Sequence, residues 1–77
     1  MLSNYQIQLQ KKIADCLEYE WPEGTLFRVH HWKNGDSNFN TIAEAYDYAE
    51  INGVSPAGTE IKRPESKRFT SVVHIKL

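Results

Sequence analysis

The stretch Thr25-Leu-Phe-Arg-Val-His-His-Trp-Lys33 constrains this chain more than any other. It is rich in aromatic and β-branched residues and is bracketed by turn formers, Pro22 and Gly24 before it and Asn34-Gly35 after it. That combination predicts a strand over residues 25–33. Side chains on a strand alternate between its two sides. Phe27, Val29 and His31 therefore share one side, and Leu26, Arg28, His30 and Trp32 share the other. The fold must supply a cover for the apolar row. The two adjacent histidines point apart and do not act as a pair.

Two amphipathic helices supply the cover. Over residues 3–18, Leu2, Tyr5, Leu9, Ile13, Cys16 and Leu17 fall within one arc at about 100° per residue. Ser3 or Asn4 offers the N-cap oxygen. Ile7 lies off the stripe, so it is either exposed or set against a partner. The second helix begins at the capping box Thr41-Ile-Ala-Glu44, in which the hydroxyl takes the Glu44 amide and the carboxylate reaches back. Ile42, Ala45, Tyr46 and Ala49 line its inner face, and Asn52-Gly53 ends it with Val54 as the accompanying apolar contact. Tyr48 and Ile51 sit off that face.

The segment Asp36–Asn40 reads as a polar loop and Ser55–Gly58 as another. Residues 59–63 read as a short strand, 64–67 as a turn and 68–76 as a final strand, the last two strands forming a hairpin. The order is α-β-α-β-β. This predicts one α+β domain over residues 1–77, two layers, with a sheet of about three strands and both helices packed on one face. A right-handed crossover through the second helix would make the first strand parallel to the second. The side of the sheet away from the helices then carries Arg28, His30, Trp32, Lys62, Val72, His74 and Lys76.

A chain of 77 residues buries only about 60–65 % of the surface it exposes when unfolded. A shallow contact surface is easier to build on it than a deep substrate cavity. With 40 % apolar and 25 % charged residues it belongs among folded globules. The formal net charge of −1 gives no global field toward nucleic acid or acidic lipid. That near-neutrality conceals segregation. Residues 1–23 carry a net −2 and residues 41–56 a net −3, while residues 57–77 carry +3. A single cysteine, Cys16, excludes an internal disulfide and points to a reducing, cytoplasmic setting. No apolar leader or membrane-length apolar run is present.

The chemistry-bearing residues form no established constellation. His30, His74 and Cys16 are the soft ligands besides His31, yet no zinc-type spacing joins them. Asp36, Asn38, Asn40, Glu44 and Asp47 echo a calcium loop, but Thr41 replaces its glycine and Asp47 its terminal glutamate. Cys16 lies on the buried stripe and no nucleophile elbow or phosphate loop occurs. The expectation is a non-enzymatic domain with no metal and no cofactor.

The outer sheet face is the candidate contact surface, with Arg28, His30, Trp32, Lys62, His74 and Lys76 on it. Tryptophan and arginine are enriched among binding hot spots. Tyr48 and Ile51, with the acidic residues around Trp21, form a second candidate surface, although Trp21 beside a proline turn also suits a cap on the core. The leading expectation is a protein-binding domain that self-associates, as a homodimer for instance, or inhibits a larger partner. In length and lack of motifs the chain has the style of accessory proteins of phages and mobile elements, a likeness that assigns no residue. The alternative is a single-stranded nucleic-acid-binding protein using the same basic, aromatic face. No membrane partner is expected.

Overall fold

A computed structural model describes residues 3–77. It contains helix α1 (Asn4–Glu18), strands β1 (Leu26–His31) and β2 (Gly35–Phe39), helix α2 (Ile42–Ile51), a 3₁₀ turn (Pro56–Gly58), and strands β3 (Glu60–Lys62) and β4 (Thr70–Ser71). The fold is α+β, with the two helices packed against an antiparallel sheet of order β2-β1-β3-β4.

Four strands stand where about three were expected, because Asp36–Asn40 is not a loop. Residues 35–39 pair with β1 in the register Phe27↔Phe39 to His31↔Gly35. Apart from Phe39, this strand is built from glycine, aspartate, serine and asparagine, types with little strand preference. As an edge strand it needs little burial, and only Ser37 and Phe39 turn inward. Its presence also changes the strand directions. The β1–β2 hairpin reverses the chain before α2 crosses over, so β3 runs antiparallel to β1, with Phe27 opposite Ile61. The crossover therefore joins β2 and β3, which run the same way with β1 between them.

The helix ends obey their local signals. Ser3 caps α1 through a complete capping box, its hydroxyl accepting from the Gln6 amide while the Gln6 side chain accepts from the Ser3 amide. The Thr41 hydroxyl accepts from the Glu44 amide at 3.2 Å, but it donates to the Glu44 carboxylate at 2.8 Å, so that carboxylate reaches the hydroxyl rather than the cap backbone. At the end of α2 the Val54 amide donates to the Ala49 carbonyl and the Gly53 amide to that of Glu50, with Gly53 at φ +68°. That pair of bonds is the Schellman motif.

The core lies between sheet and helices. Phe27, Val29 and Ile61 from the sheet, Cys16 from α1 and Ile42, Ala45 and Ala49 from α2 are buried together with Val72 and Ile75. Ala45 and Ala49 let α2 lie close on β1 and β2. Burying side chains the size of Phe27 or Ile61 contributes about 1.5–3 kcal/mol each. Trp21 caps one end of this core. Its ring meets Phe27 edge-on at 5.7 Å, its Nε1 donates to the Cys16 carbonyl, and the Arg63 guanidinium lies over it.

The final strand is shorter than residues 68–76. After Ser71 the chain curls, and the amides of His74 and Ile75 both donate to the Ser71 carbonyl. Val72 and Ile75 then point inward at a spacing of three. Val72 is fully buried, contrary to its expected place on the outer face. Helix α1 also departs from its simple wheel. Ile13 and Cys16 reach the core, but Leu17 is half exposed and Tyr5 is mostly exposed. Leu2, expected on the same stripe, lies outside the described residues. No helix among the described residues is long and apolar enough to cross a membrane.

Candidate protein-contact surface

The side of the sheet away from the helices carries a chain of paired charges. Arg28 and Glu60 stand directly opposite across β1 and β3, and the Arg28 Nε donates to Glu60 Oε1 at 2.9 Å. His30 stands directly opposite Asp36 across β1 and β2. Its Nδ1 meets the Asp36 carboxylate and its Nε2 meets Glu60 Oε1, the same oxygen that receives Arg28. The Arg28 guanidinium lies 4.0 Å from the centre of the Phe69 ring, a cation–π contact. The sequence Phe69–Arg28–Glu60–His30–Asp36 thus spans the sheet from the β4 side to the β2 edge.

This arrangement dictates the charge state of its members. A neutral imidazole donates through one nitrogen only, whereas the imidazolium donates through both. With a carboxylate on either side, hydrogen bonding to Asp36 and then Glu60 raises the His30 pKa, against a smaller opposing effect of desolvation. Burial pushes Glu60 upward, but the hydrogen bonds from Arg28 and His30 outweigh it and hold that carboxyl below its ordinary value. At mildly acidic pH, Arg28 and His30 are therefore matched by Glu60 and Asp36. Two of the basic side chains expected on this face are thus engaged by carboxylates, and Lys62 shares the face, opposite Leu26. Glu60 and Asp36 were missing from the sequence-based site. Glu60 was legible as a neighbour of inward-facing Ile61, and Asp36 became legible only with β2.

The hairpin tip carries the exposed aromatic. Residues 32–34 form a three-residue turn between the paired residues His31 and Gly35, and Gly35 follows at φ +75°. Such loops combine a tight turn with a left-handed residue, which glycine adopts at no steric cost. The His31 ring folds over the turn, its Nδ1 accepting from the amides of Lys33 at 3.1 Å and Asn34 at 3.0 Å. Nδ1 is therefore the unprotonated nitrogen. The same ring stacks on the Trp32 indole at 5.6 Å between centroids and 23° between planes. Trp32 itself is 89 % exposed. The adjacent histidines thus have separate structural tasks, one across the strands and one beneath the tip.

The other predicted residues are distributed more widely. Lys62 lies opposite Leu26 at the far end of β1 from the tip. His74 and Lys76 are exposed but sit past β4 in the curled tail, off the strand ladder where they were expected. Tyr48 is half buried and packs on Phe39 at 5.2 Å, which closes the core over β2. Ile51 is 83 % exposed and stands alone on the solvent side of α2. The structure therefore gathers Arg28, His30 and Trp32 along one strand and its tip, and scatters the rest.

Two further features bear on chemistry. Cys16 is fully buried, and burial raises its thiol pKa, which disfavours the nucleophilic thiolate. Among the described residues no group of three histidine, cysteine, aspartate or glutamate side chains converges on one point. His30, for its part, holds its two carboxylates on opposite sides of the ring. No protein family, curated protein or solved structure matches the chain.

Proposed function

We propose that this domain binds another protein through the tip of the β1–β2 hairpin, with Trp32 as the anchor and Arg28, His30, Asp36 and Glu60 as a charged surround. The observation that carries the reading is the Trp32 indole, 89 % exposed on a turn whose amides are bonded to the His31 ring. An aromatic ring already held in place loses little freedom on docking, and tryptophans so placed dominate interface energies. The surround suits a protein better than a nucleic acid strand. Arg28 and His30 are engaged by carboxylates on the same face. A single-strand platform uses several stacking rings and unengaged cations, whereas Trp32 is the one exposed ring at this tip.

The role is non-enzymatic: the partner's activity or assembly is altered by occupancy, as an inhibitor or adaptor acts. The test uses immobilised wild-type and Trp32→Ala chains as baits in nuclease-treated and untreated extract of the producing cells. Proteins retained by the wild type in both extracts and weakened on the order of thirtyfold by Trp32→Ala support the reading, as loss of an anchor worth about 2 kcal/mol requires. Retention that disappears with nuclease and falls steeply with salt transfers the face to nucleic acid. Retention indifferent to Trp32→Ala overturns the assignment of the tip.

A further inference from the structure

Two of the five asparagines, Asn34 and Asn52, are followed by glycine. Asparagine is chemically labile, most of all in that setting. The next backbone nitrogen can attack the side-chain amide carbon, and a glycine there has no Cβ to hinder the approach. Tyr5, Phe39 and Thr41 follow the other three asparagines, and their side chains crowd the attacking nitrogen. The fold treats the two Asn-Gly pairs differently. Asn52 closes α2, and its Nδ2 donates to the Tyr48 carbonyl at 2.8 Å. The Gly53 amide, which holds the nitrogen that would attack, donates to the Glu50 carbonyl at 3.2 Å. Asn34 is exposed in the hairpin turn, and its side chain makes no hydrogen bond among the described residues. The His31 ring takes the backbone amides of Lys33 and Asn34 and does not engage that side chain. Gly35 begins β2 at the end of the ladder, where pairing opens at least cost.

We infer that Asn34 is a site of spontaneous deamidation and that the fold protects Asn52 from it. The Gly35 nitrogen gives its proton to hydroxide and attacks Asn34 Cγ. The N–Cγ bond forms, the Cγ–Nδ2 bond breaks, and Nδ2 leaves as ammonia with a proton taken from water, so a cyclic imide remains. Water then opens the ring. Attack at Cγ breaks the new N–Cγ bond and gives aspartate. Attack at the backbone carbonyl carbon breaks the original peptide bond and gives isoaspartate, in which the main chain runs through Cγ. Either product adds a negative charge to the tip that carries Trp32. Isoaspartate also lengthens the main chain by a carbon inside a turn closed by the His31–Gly35 pairing. That pairing and the two bonds to the His31 ring cannot all be kept around the longer chain, so the tip loosens. Deamidation itself needs no partner; the consequence that ageing disables the Trp32 anchor rests on the docking role proposed above.

The test incubates the folded full chain at mildly alkaline pH and digests it at acid pH, where the imide forms slowly. Mass spectrometry reads the gain at each asparagine when –NH₂ is replaced by –OH, and fragmentation across residue 34 separates isoaspartate from aspartate. Conversion at Asn34 is expected to outrun that at Asn52 by on the order of tenfold, since two hydrogen bonds must break before Asn52 reacts. Isoaspartate is expected to exceed aspartate, because direct hydrolysis of the side chain yields aspartate alone. In urea the two sites are expected to react alike. Asn34→Gln, at an exposed position, is expected to abolish conversion there with unchanged circular dichroism. In the isoaspartyl chain, isolated by anion exchange, the ¹⁵N order parameter of Lys33 is expected to fall from about 0.85 to below about 0.6. Equal rates at the two sites in the folded chain, a preference for Asn34 undiminished in urea, aspartate without isoaspartate, or no conversion at Asn34 while the unfolded chain reacts overturns the inference. An unchanged order parameter in the isoaspartyl chain overturns the loosening of the tip.

Discussion

Gly35 ties the sequence to the placement of Trp32, and replacing it separates backbone geometry from packing. It sits at φ +75°, and a Cβ built there meets no atom within 4 Å. Gly35→Ala therefore introduces no clash, and its cost is conformational. An L-residue held in the left-handed region costs about 1–2 kcal/mol. In a domain of this size each kcal/mol moves the midpoint of thermal unfolding by roughly 4–8 °C. Gly58 is the internal control, since its Cβ also enters open space and its φ is not left-handed. Gly58→Ala is expected to stabilise by about 0.4–1 kcal/mol, because it restricts the unfolded chain alone. A D-alanine at position 35, introduced by chemical ligation, accepts the positive φ and is expected to stabilise by a similar amount. Urea unfolding with an unchanged m-value reads all three variants. A neutral Gly35→Ala, or equal losses at positions 35 and 58, would refute the hairpin geometry.

Two further outcomes concern the sheet and its edge. The His30 pKa is raised in the folded state, so its contribution to stability is complete below the ordinary histidine value of 6.5 and is lost as pH rises through the folded value. The Glu60 pKa is lowered, so its contribution is present above the ordinary carboxylate value and is lost as pH falls through the folded one. Wild type minus His30→Gln, measured as urea midpoints across pH, should be constant below the ordinary histidine value and decline as pH rises above it; a flat difference contradicts the two-carboxylate clamp. Thr59 is fully buried and its hydroxyl has no hydrogen-bond partner among the described residues. Thr59→Val, which exchanges that hydroxyl for a methyl group, is expected to stabilise by about 1 kcal/mol, and a loss of stability would show the hydroxyl to be satisfied.

How much of this was legible depended on how strongly each element's own residues decide its shape. The alternation of Leu26 to His31 and the Thr41 and Asn52-Gly53 signals acted locally, so β1 and α2 followed from them. Strand β2 was hidden because Asp36, Ser37 and Asn38 carry no strand preference and are held by pairing with β1 across the turn. That one omission also turned the expected parallel pairing into an antiparallel one and hid Asp36 from the site. Val72 and His74 were misplaced for a different reason. The alternation of residues 68–76 suits a strand, but the ladder ends at Ser71 and the chain curls, so a period of two became a spacing of three. Trp32 was correctly expected to be exposed, while the support beneath it was invisible. Nothing in the pair His30-His31 announces that one ring bridges two carboxylates and the other holds a turn.

The proposed role stands on the hairpin tip being ordered before any partner arrives. Backbone ¹⁵N relaxation of the free domain measures that at the amides of Trp32, Lys33 and Asn34. With the His31 ring bonded to two of these amides, order parameters near the rigid-backbone value of about 0.85 are expected, falling in His31→Ala. Values below about 0.6 in the wild type would show a loose tip and contradict the preorganised anchor.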